Sequence, residues 1–153
     1  MLKMMFRTEP AFTLLILRLG LGVVMFGHGA QKMLGMFGGP GFSAAMEGLT
    51  EHAGIPGFFA FLVIIGEFFG ALGLIFGFLT RLSAAGIGMI MVGAVLFVHA
   101  DEGFFMNWRN VPERGHGFEY HILAIVIAVA LLFKGAGLLS VDRFLANRKK
   151  HPD

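Results

Sequence analysis

The sequence predicts an all-α integral membrane protein, an antiparallel bundle of four transmembrane helices in a single domain spanning residues 1–153. Three observations predict it. The chain is 56% hydrophobic and only 14% charged, where soluble domains carry roughly a quarter charged residues. Its mean hydropathy is +0.77. Four stretches come close to the roughly 20 mostly apolar residues that a bilayer crossing needs. A chain of 153 residues has room for one domain. It holds no cysteine, which excludes a disulfide scaffold and thiol redox chemistry.

The first span is expected over residues 12–33, apolar except for Arg18, His28, Gln31 and Lys32. A cleaved signal peptide is the competing reading, but the apolar region is too long and Arg18 interrupts it. The second span, residues 55–79, carries a single charge, Glu67. The third, residues 82–99, has no formal charge, and Thr80-Arg81 is read as the tight turn before it. The fourth, residues 118–139, is the weakest, because His121 and Lys134 shorten its apolar core; Lys134 can snorkel its ammonium to the headgroups. Residues 35–54 and 100–117 are read as the two long loops. Gly66/Gly70 and Gly73/Gly77 have the spacing that lets a neighbouring helix approach closely, and Gly86 and Gly93 offer the same on the third span.

Charge sets the expected orientation. Lys3, Arg7, Arg81, Lys134, Arg143, Arg148, Lys149 and Lys150 fall on one side, against Lys32, Arg109 and Arg114 on the other. The positive-inside rule then places both termini in the cytoplasm of a multi-pass protein. The sequence pI of 9.3 follows from that asymmetry, so no nucleic-acid partner is needed. The basic tail at residues 147–150 reads as an anchor at anionic headgroups.

Ionisable groups at membrane depth are costly, so each is a candidate for function. Arg18 and Glu67 are the deepest, and two readings stand: a structural ion pair between the first two spans, or a proton-active carboxylate near a substrate. Arg18, Met25 and Lys32 recur every seven residues and share a face broad enough to include His28. His28, His99, His116 and His121 all fall at the same ends of the spans or in the loop joining them, with Glu119 beside them. His28, His99 and His121 are therefore expected to converge beneath the loop at residues 100–117. Imidazole ligates zinc, copper, iron and haem. No two of these histidines stand at i, i+4 on one helix, so a metal or haem is the weaker reading. Interfacial histidines with only hydrogen-bonding roles, and a proton relay or quinone contact, both remain open. The ten methionines and eighteen phenylalanines read as packing and lipid contact. Trp108 and Tyr120 read as an aromatic belt. There is no Walker loop, no dinucleotide fingerprint and no serine-histidine-carboxylate grouping.

The first span, from Arg18-Leu-Gly-Leu-Gly to His28-Gly-Ala-Gln-Lys32, resembles the opening of the DoxX family. The run from Glu67-Phe-Phe-Gly through Thr80-Arg81 looks like that family's second motif, and Gly135 to Arg143 is similar to its closing segment. Together they cover roughly residues 12 to 145. The resemblance implies a four-helix protein of the bacterial inner membrane. Some members are linked to thiosulfate:quinone oxidoreductase or membrane redox complexes, and many have no assigned activity. By motif match it marks Arg18, His28, Lys32 and Glu67.

The function expected is a membrane-embedded oxidoreductase subunit that contacts a quinone near the outer helix ends. Glu67, His28 and Glu119 are its catalytic candidates, and Arg18, His28, Lys32, His99 and His121 its cofactor-binding candidates. A quinone's carbonyl oxygens need a hydrogen-bond donor or proton source during reduction, which these groups can supply. The alternative is a non-enzymatic scaffold or small-solute transporter. The bilayer is the expected environment, and a redox partner subunit or a second copy the expected partner, since four short helices offer little interior.

Overall fold

The computed structural model describes Thr8, residues 10–113 and residues 115–148. Lys3, Arg7, Arg114, Lys149 and Lys150, used above for orientation, lie outside the described residues. Among the described residues six α-helices are formed: α1 (Phe12–Leu34), α2 (Gly41–Glu47), α3 (Gly57–Phe76), α4 (Thr80–Ala94), α5 (Glu119–Lys134) and α6 (Val141–Arg148). No strand occurs among the described residues. A wider π turn at Val95–His99 and a tighter turn at Ala100–Glu102 prolong α4.

Three of these helical runs are long and apolar enough to cross a membrane: Phe12–Leu34, Gly57–Phe76 and Thr80–Glu102. A helix satisfies every backbone group within itself, which lets it lie in hydrocarbon. The fourth expected span behaves differently. Instead of running to residue 139, α5 stops at Lys134 after 16 residues, or about 24 Å. Gly135 (φ 86°), Gly137 (φ 73°) and Leu139 (φ 48°) then take backbone conformations that no α-helix contains.

Two further boundaries depart from the sequence expectation. Thr80-Arg81 is not the tight turn but the first turn of α4. The chain reverses one step earlier, where Gly77 (φ 65°) ends α3. The Gly77 N–H bonds the Leu74 carbonyl and the Phe78 N–H the Gly73 carbonyl, which satisfies the last carbonyls of the helix. The loop expected over residues 35–54 contains α2 and a π turn at Gly48–His52.

The long helices contact one another in a ring: α1 on α3, α3 on α4, α4 on α5, and α5 back on α1. Their shared core is Leu14, Leu21, Met25, Ala71, Leu74, Ala84, Ile87, Met91, Ala124, Ala128 and Leu131. The alanines matter, since small residues let helix axes approach and gain dispersion contact where lipid removes the hydrophobic drive. Ile16, Val23, Phe58, Phe69, Met89, Leu96 and Phe133 are exposed around the outside.

Glycines 66, 70 and 73 do face α4, against Ile90, Ile87 and Ser83. Gly86 and Gly93 correct the expectation: a side chain at either would meet nothing within 4 Å. The tightest helix contact of α1 falls on a glycine outside those spaced pairs. A Cβ on Gly29 would lie 2.7 Å from the backbone of Phe68, and one on Gly22 would touch Ile75. This register also shows that α1 and α3 run in opposite directions.

Candidate functional site

The close approach at Gly29 brings Lys32, one turn further along α1, to Glu67 of α3. The Lys32 Nζ donates to both carboxylate oxygens, Oε1 at 2.7 Å and Oε2 at 2.6 Å. Side-chain exposure is 29% for Lys32 and 4% for Glu67. The carboxylate at depth is therefore compensated by a cation that reaches in from the helix end.

Arg18 does not pair with Glu67. Helical side chains lean toward their own N-terminus, and α1 and α3 are antiparallel, so Arg18 and Glu67 lean away from each other. Glu67 leans toward Lys32 instead. The Arg18 guanidinium, 1% exposed, is spent on backbone carbonyls. Nη1 donates to Leu74 and Ile75 (both 2.7 Å), Nε to Ala136 (3.1 Å), and Nη2 to Leu138 (3.4 Å) and Leu139 (3.0 Å). The first two are end carbonyls of α3, where the helix dipole favours a cation. The other three belong to the irregular segment after α5. Non-helical backbone at membrane depth persists only where protein groups satisfy it, and Arg18 does so here. Gly77 makes room for it: a Cβ there would lie 2.8 Å from Nη1.

The same end of the molecule is tied further by Asp142 of α6. Its Oδ1 accepts the Leu79 N–H (2.8 Å) and its Oδ2 the Thr80 N–H (2.9 Å). It thus caps α4 from another helix.

At the opposite end, a cavity of about 320 Å³ opens between α1, α3, α4, α5 and the loop after α4. His28, His99 and His121 all line it, with the Lys32–Glu67 bridge on one wall. The His99 and His121 rings stand 4.3 Å apart, and Tyr120 lies between His121 (5.5 Å) and His28 (6.2 Å). His99 Nδ1 is 2.7 Å from the His116 carbonyl oxygen. A carbonyl can only accept, so that nitrogen carries the proton. His121 is 7% exposed, and its Nδ1 is buried without a hydrogen-bond partner among the described residues. The Tyr120 hydroxyl points at the Met25 sulfur, 3.7 Å away.

Glu119 is turned elsewhere. Its Oε1 accepts the Met106 N–H (3.1 Å) and the Trp108 indole N–H (2.9 Å), and it is not among the residues lining the cavity. The Gly115 N–H to Glu102 (2.8 Å) and the Glu119 N–H to the Phe104 carbonyl (2.9 Å) close the loop on itself. That loop contributes Met106 and His116 to the cavity wall.

Of the candidates read from sequence, His28, Lys32, Glu67, His99 and His121 come together, while Arg18 and Glu119 lie outside the cavity. Tyr120, read as part of an interfacial belt, is a wall residue, and so are Met25, Met91 and Met106. Met25 carried a signal, since it shares the Arg18–Lys32 face. Among the described residues, no three His, Asp or Glu side chains are placed to share one metal ion.

The profile of the DoxX family matches residues 13–100. A protein of Bacillus subtilis (strain 168) with the printed name "Putative oxidoreductase CatD" is 26% identical over 137 residues, 90% of each chain. The inner membrane protein YqjF of Escherichia coli (strain K12) is 37% identical over 111 residues, covering 69% of this chain and 75% of that one. No solved structure matches the chain. The matched stretch holds α1, α3 and α4, and with them Arg18, His28, Gly29, Lys32, Glu67 and His99. The walls from α5 and the loop lie beyond it. A profile match over more than half the sequence, on helices apolar enough for a bilayer, makes this chain a membrane protein of the DoxX family.

Proposed function

We propose that the chain is the membrane-embedded component of an oxidoreductase system and holds the ring of a quinone-type carrier in the His28 cavity. One observation carries the reading: four helices deliver His28, His99, His121 and the Lys32–Glu67 bridge to one cavity of about 320 Å³. That volume falls at the lower end of the roughly 300–1,000 Å³ of small-molecule sites. Met25, Met91, Met106, Ala94 and Tyr120 line it together with four histidines, Lys32 and Glu67, so apolar surface and several convergent polar groups share one small site. Reduction of a quinone takes two electrons and two protons. A protein redox partner supplies the electrons, and His28 and Glu67 lie where they can pass protons to the ring oxygens. Glu119 acts as a positioning residue through the loop it ties, and Arg18 through the backbone it holds.

In this reading α5 with residues 135–139 completes a fourth crossing, so that four antiparallel helices span the inner membrane. Both termini are cytoplasmic, and the cavity opens on the outer side. The name of the Bacillus subtilis relative supports the redox assignment and the name of the Escherichia coli relative supports the membrane. The test uses the full chain in lipid nanodiscs, titrated with a short-chain ubiquinone and followed by calorimetry. Saturable binding that weakens at least tenfold in His28→Ala and in His121→Phe is expected. Binding that is absent, or unchanged in both variants, overturns the reading.

A further inference from the structure

We infer that the cavity selects the reduced, hydroxyl-bearing form of its ring ligand, a hydroquinone, and that His99 is the residue that determines this. The inference rests on the quinone-type reading and asks which redox form the walls complement. A quinone offers two carbonyl oxygens, which only accept hydrogen bonds. A hydroquinone offers two hydroxyls, which donate.

The donors fixed in the cavity are largely spent. Two of the three Lys32 N–H bonds go to Glu67. The Tyr120 O–H is directed at the Met25 sulfur. The fixed acceptors are not spent. His99 is the clearest case, because its Nδ1 proton is committed to the His116 carbonyl at 2.7 Å. In the neutral ring that leaves Nε2 as a bare lone pair, held in one tautomer by a backbone group. Glu67 adds a carboxylate whose two oxygens each have lone-pair capacity beyond Lys32. Neutral His28 and His121 contribute one donor and one acceptor each, in either tautomer, and so favour neither form.

The arrangement at His121 points to an occupant rather than to self-satisfied packing. Its ring is buried, lines the cavity and stacks near His99 at 4.3 Å, yet Nδ1 has no partner among the described residues. A buried polar atom without a partner costs free energy, and a hydroxyl-bearing ring seated in the cavity against the two imidazoles offers a compensating bond once the His121 ring turns toward it. The Lys32 cation and Glu67 anion cancel, and quinone and hydroquinone are both neutral, so entry of either strands no charge and the choice falls to hydrogen bonding.

The experiment compares the two forms of one short-chain ubiquinone on the full chain in nanodiscs, under anaerobic conditions, with ascorbate keeping the reduced form. The hydroquinone is expected to bind at least tenfold more tightly than the quinone. His99→Ala is expected to cut that preference to less than about twofold, hydroquinone binding weakening at least fivefold more than quinone binding. Equal affinity, or tighter quinone binding, in the wild-type protein overturns this inference and leaves the cavity's role standing. Absence of binding by either form overturns the cavity reading itself. A structural check that needs no variant is the nitrogen-15 spectrum of histidine-labelled protein: His99 in the Nδ1–H tautomer supports the inference, and the Nε2–H tautomer overturns it.

Discussion

Gly29 packs directly on the backbone of Phe68, so close that a single added methyl would lie 2.7 Å from the Phe68 nitrogen and Cα. This contact fixes how near α1 and α3 stand, and the Lys32–Glu67 bridge lies one turn away from it. Gly29→Ala should therefore destabilise the protein by about 1–3 kcal/mol, the usual cost of overpacking. Backbone, unlike a side-chain tip, cannot swing aside. Gly27→Ala is the control, since nothing lies within 4 Å of its added carbon. Thermal unfolding in detergent should show a lowered midpoint for the first and none for the second. Equal midpoints would mean that the helices part easily and that Gly29 does not set the bridge.

The bridge itself should show coupling. Lys32→Met leaves the Glu67 carboxylate buried and uncompensated. Breaking buried pairs in soluble proteins costs about 3–5 kcal/mol, but Lys32 is 29% exposed at its side chain, which screens the pair. About 1–3 kcal/mol is the expected loss. The double variant Lys32→Met with Glu67→Gln should be more stable than the two single losses predict when added. Simple additivity in a thermal or denaturant series would show the two charges to be independent.

Arg18 should behave as a backbone clamp rather than as a counter-ion. Arg18→Met takes their Arg18 donor from the carbonyls of Ile75, Ala136, Leu138 and Leu139, and the expected loss exceeds about 3 kcal/mol, several groups being involved. Arg18→Lys keeps the charge but replaces a planar fork with one ammonium, so it should recover less than half of that loss. Combining Arg18→Met with Glu67→Gln should be additive to within about 0.5 kcal/mol, as for distant sites. A coupling of several kcal/mol would restore the pair that the geometry separates.

These three cases mark how far the sequence could be read. The apolar runs of α1, α3 and α4 were legible because composition alone decides what can enter a bilayer, and the histidine level followed from where those runs end. The end of α5 was not, because Gly135 and Gly137 sit in an apolar stretch whose hydropathy says nothing about φ. The partners of Arg18 are hidden in the sequence for a related reason. A carbonyl cradle leaves no residue signature, whereas a glutamate on the next span does, and depth along a span carries no information on the lean of side chains toward the helix start. The Lys32–Glu67 contact depended on Gly29, which carries no pattern until the facing backbone is known. In the cavity, Tyr120 and the methionines belong to residue types common in any membrane helix, and only the fold distinguishes those facing inward.

Asp142 should account for much of the stability at the Arg18 end. Its carboxylate takes the Leu79 and Thr80 N–H groups, which open α4 and have no helical partner. Asp142→Ala removes both bonds and should cost about 0.5–2 kcal/mol, in the range of helix-cap losses. Hydrogen exchange resolves the prediction by site. Amides at Leu79 and Thr80 should exchange faster, while those around His99, at the far end of the same helix, should not change. Uniform acceleration along α4 would instead indicate global destabilisation, and no change would remove Asp142 from the role.

Glu119 offers a test of the loop that roofs the cavity, with a reporter already in place. Trp108 is the one tryptophan of the chain, and its indole N–H reaches the Glu119 carboxylate at 2.9 Å beside the Met106 amide. Glu119→Ala removes the common acceptor of both donors. The loop carries Met106 and His116 into the cavity wall, so releasing it should also loosen the carbonyl that orients His99. Trp108 emission should shift, and limited proteolysis between residues 103 and 118 should accelerate several-fold, because the opening of local structure governs cleavage. Glu119→Gln keeps an oxygen at the same place and should fall between the wild-type protein and the alanine variant. If Trp108 emission and cleavage rate both stay at wild-type values in Glu119→Ala, the carboxylate does not hold the loop, and its place at the start of α5 must serve some chemistry within the cavity after all.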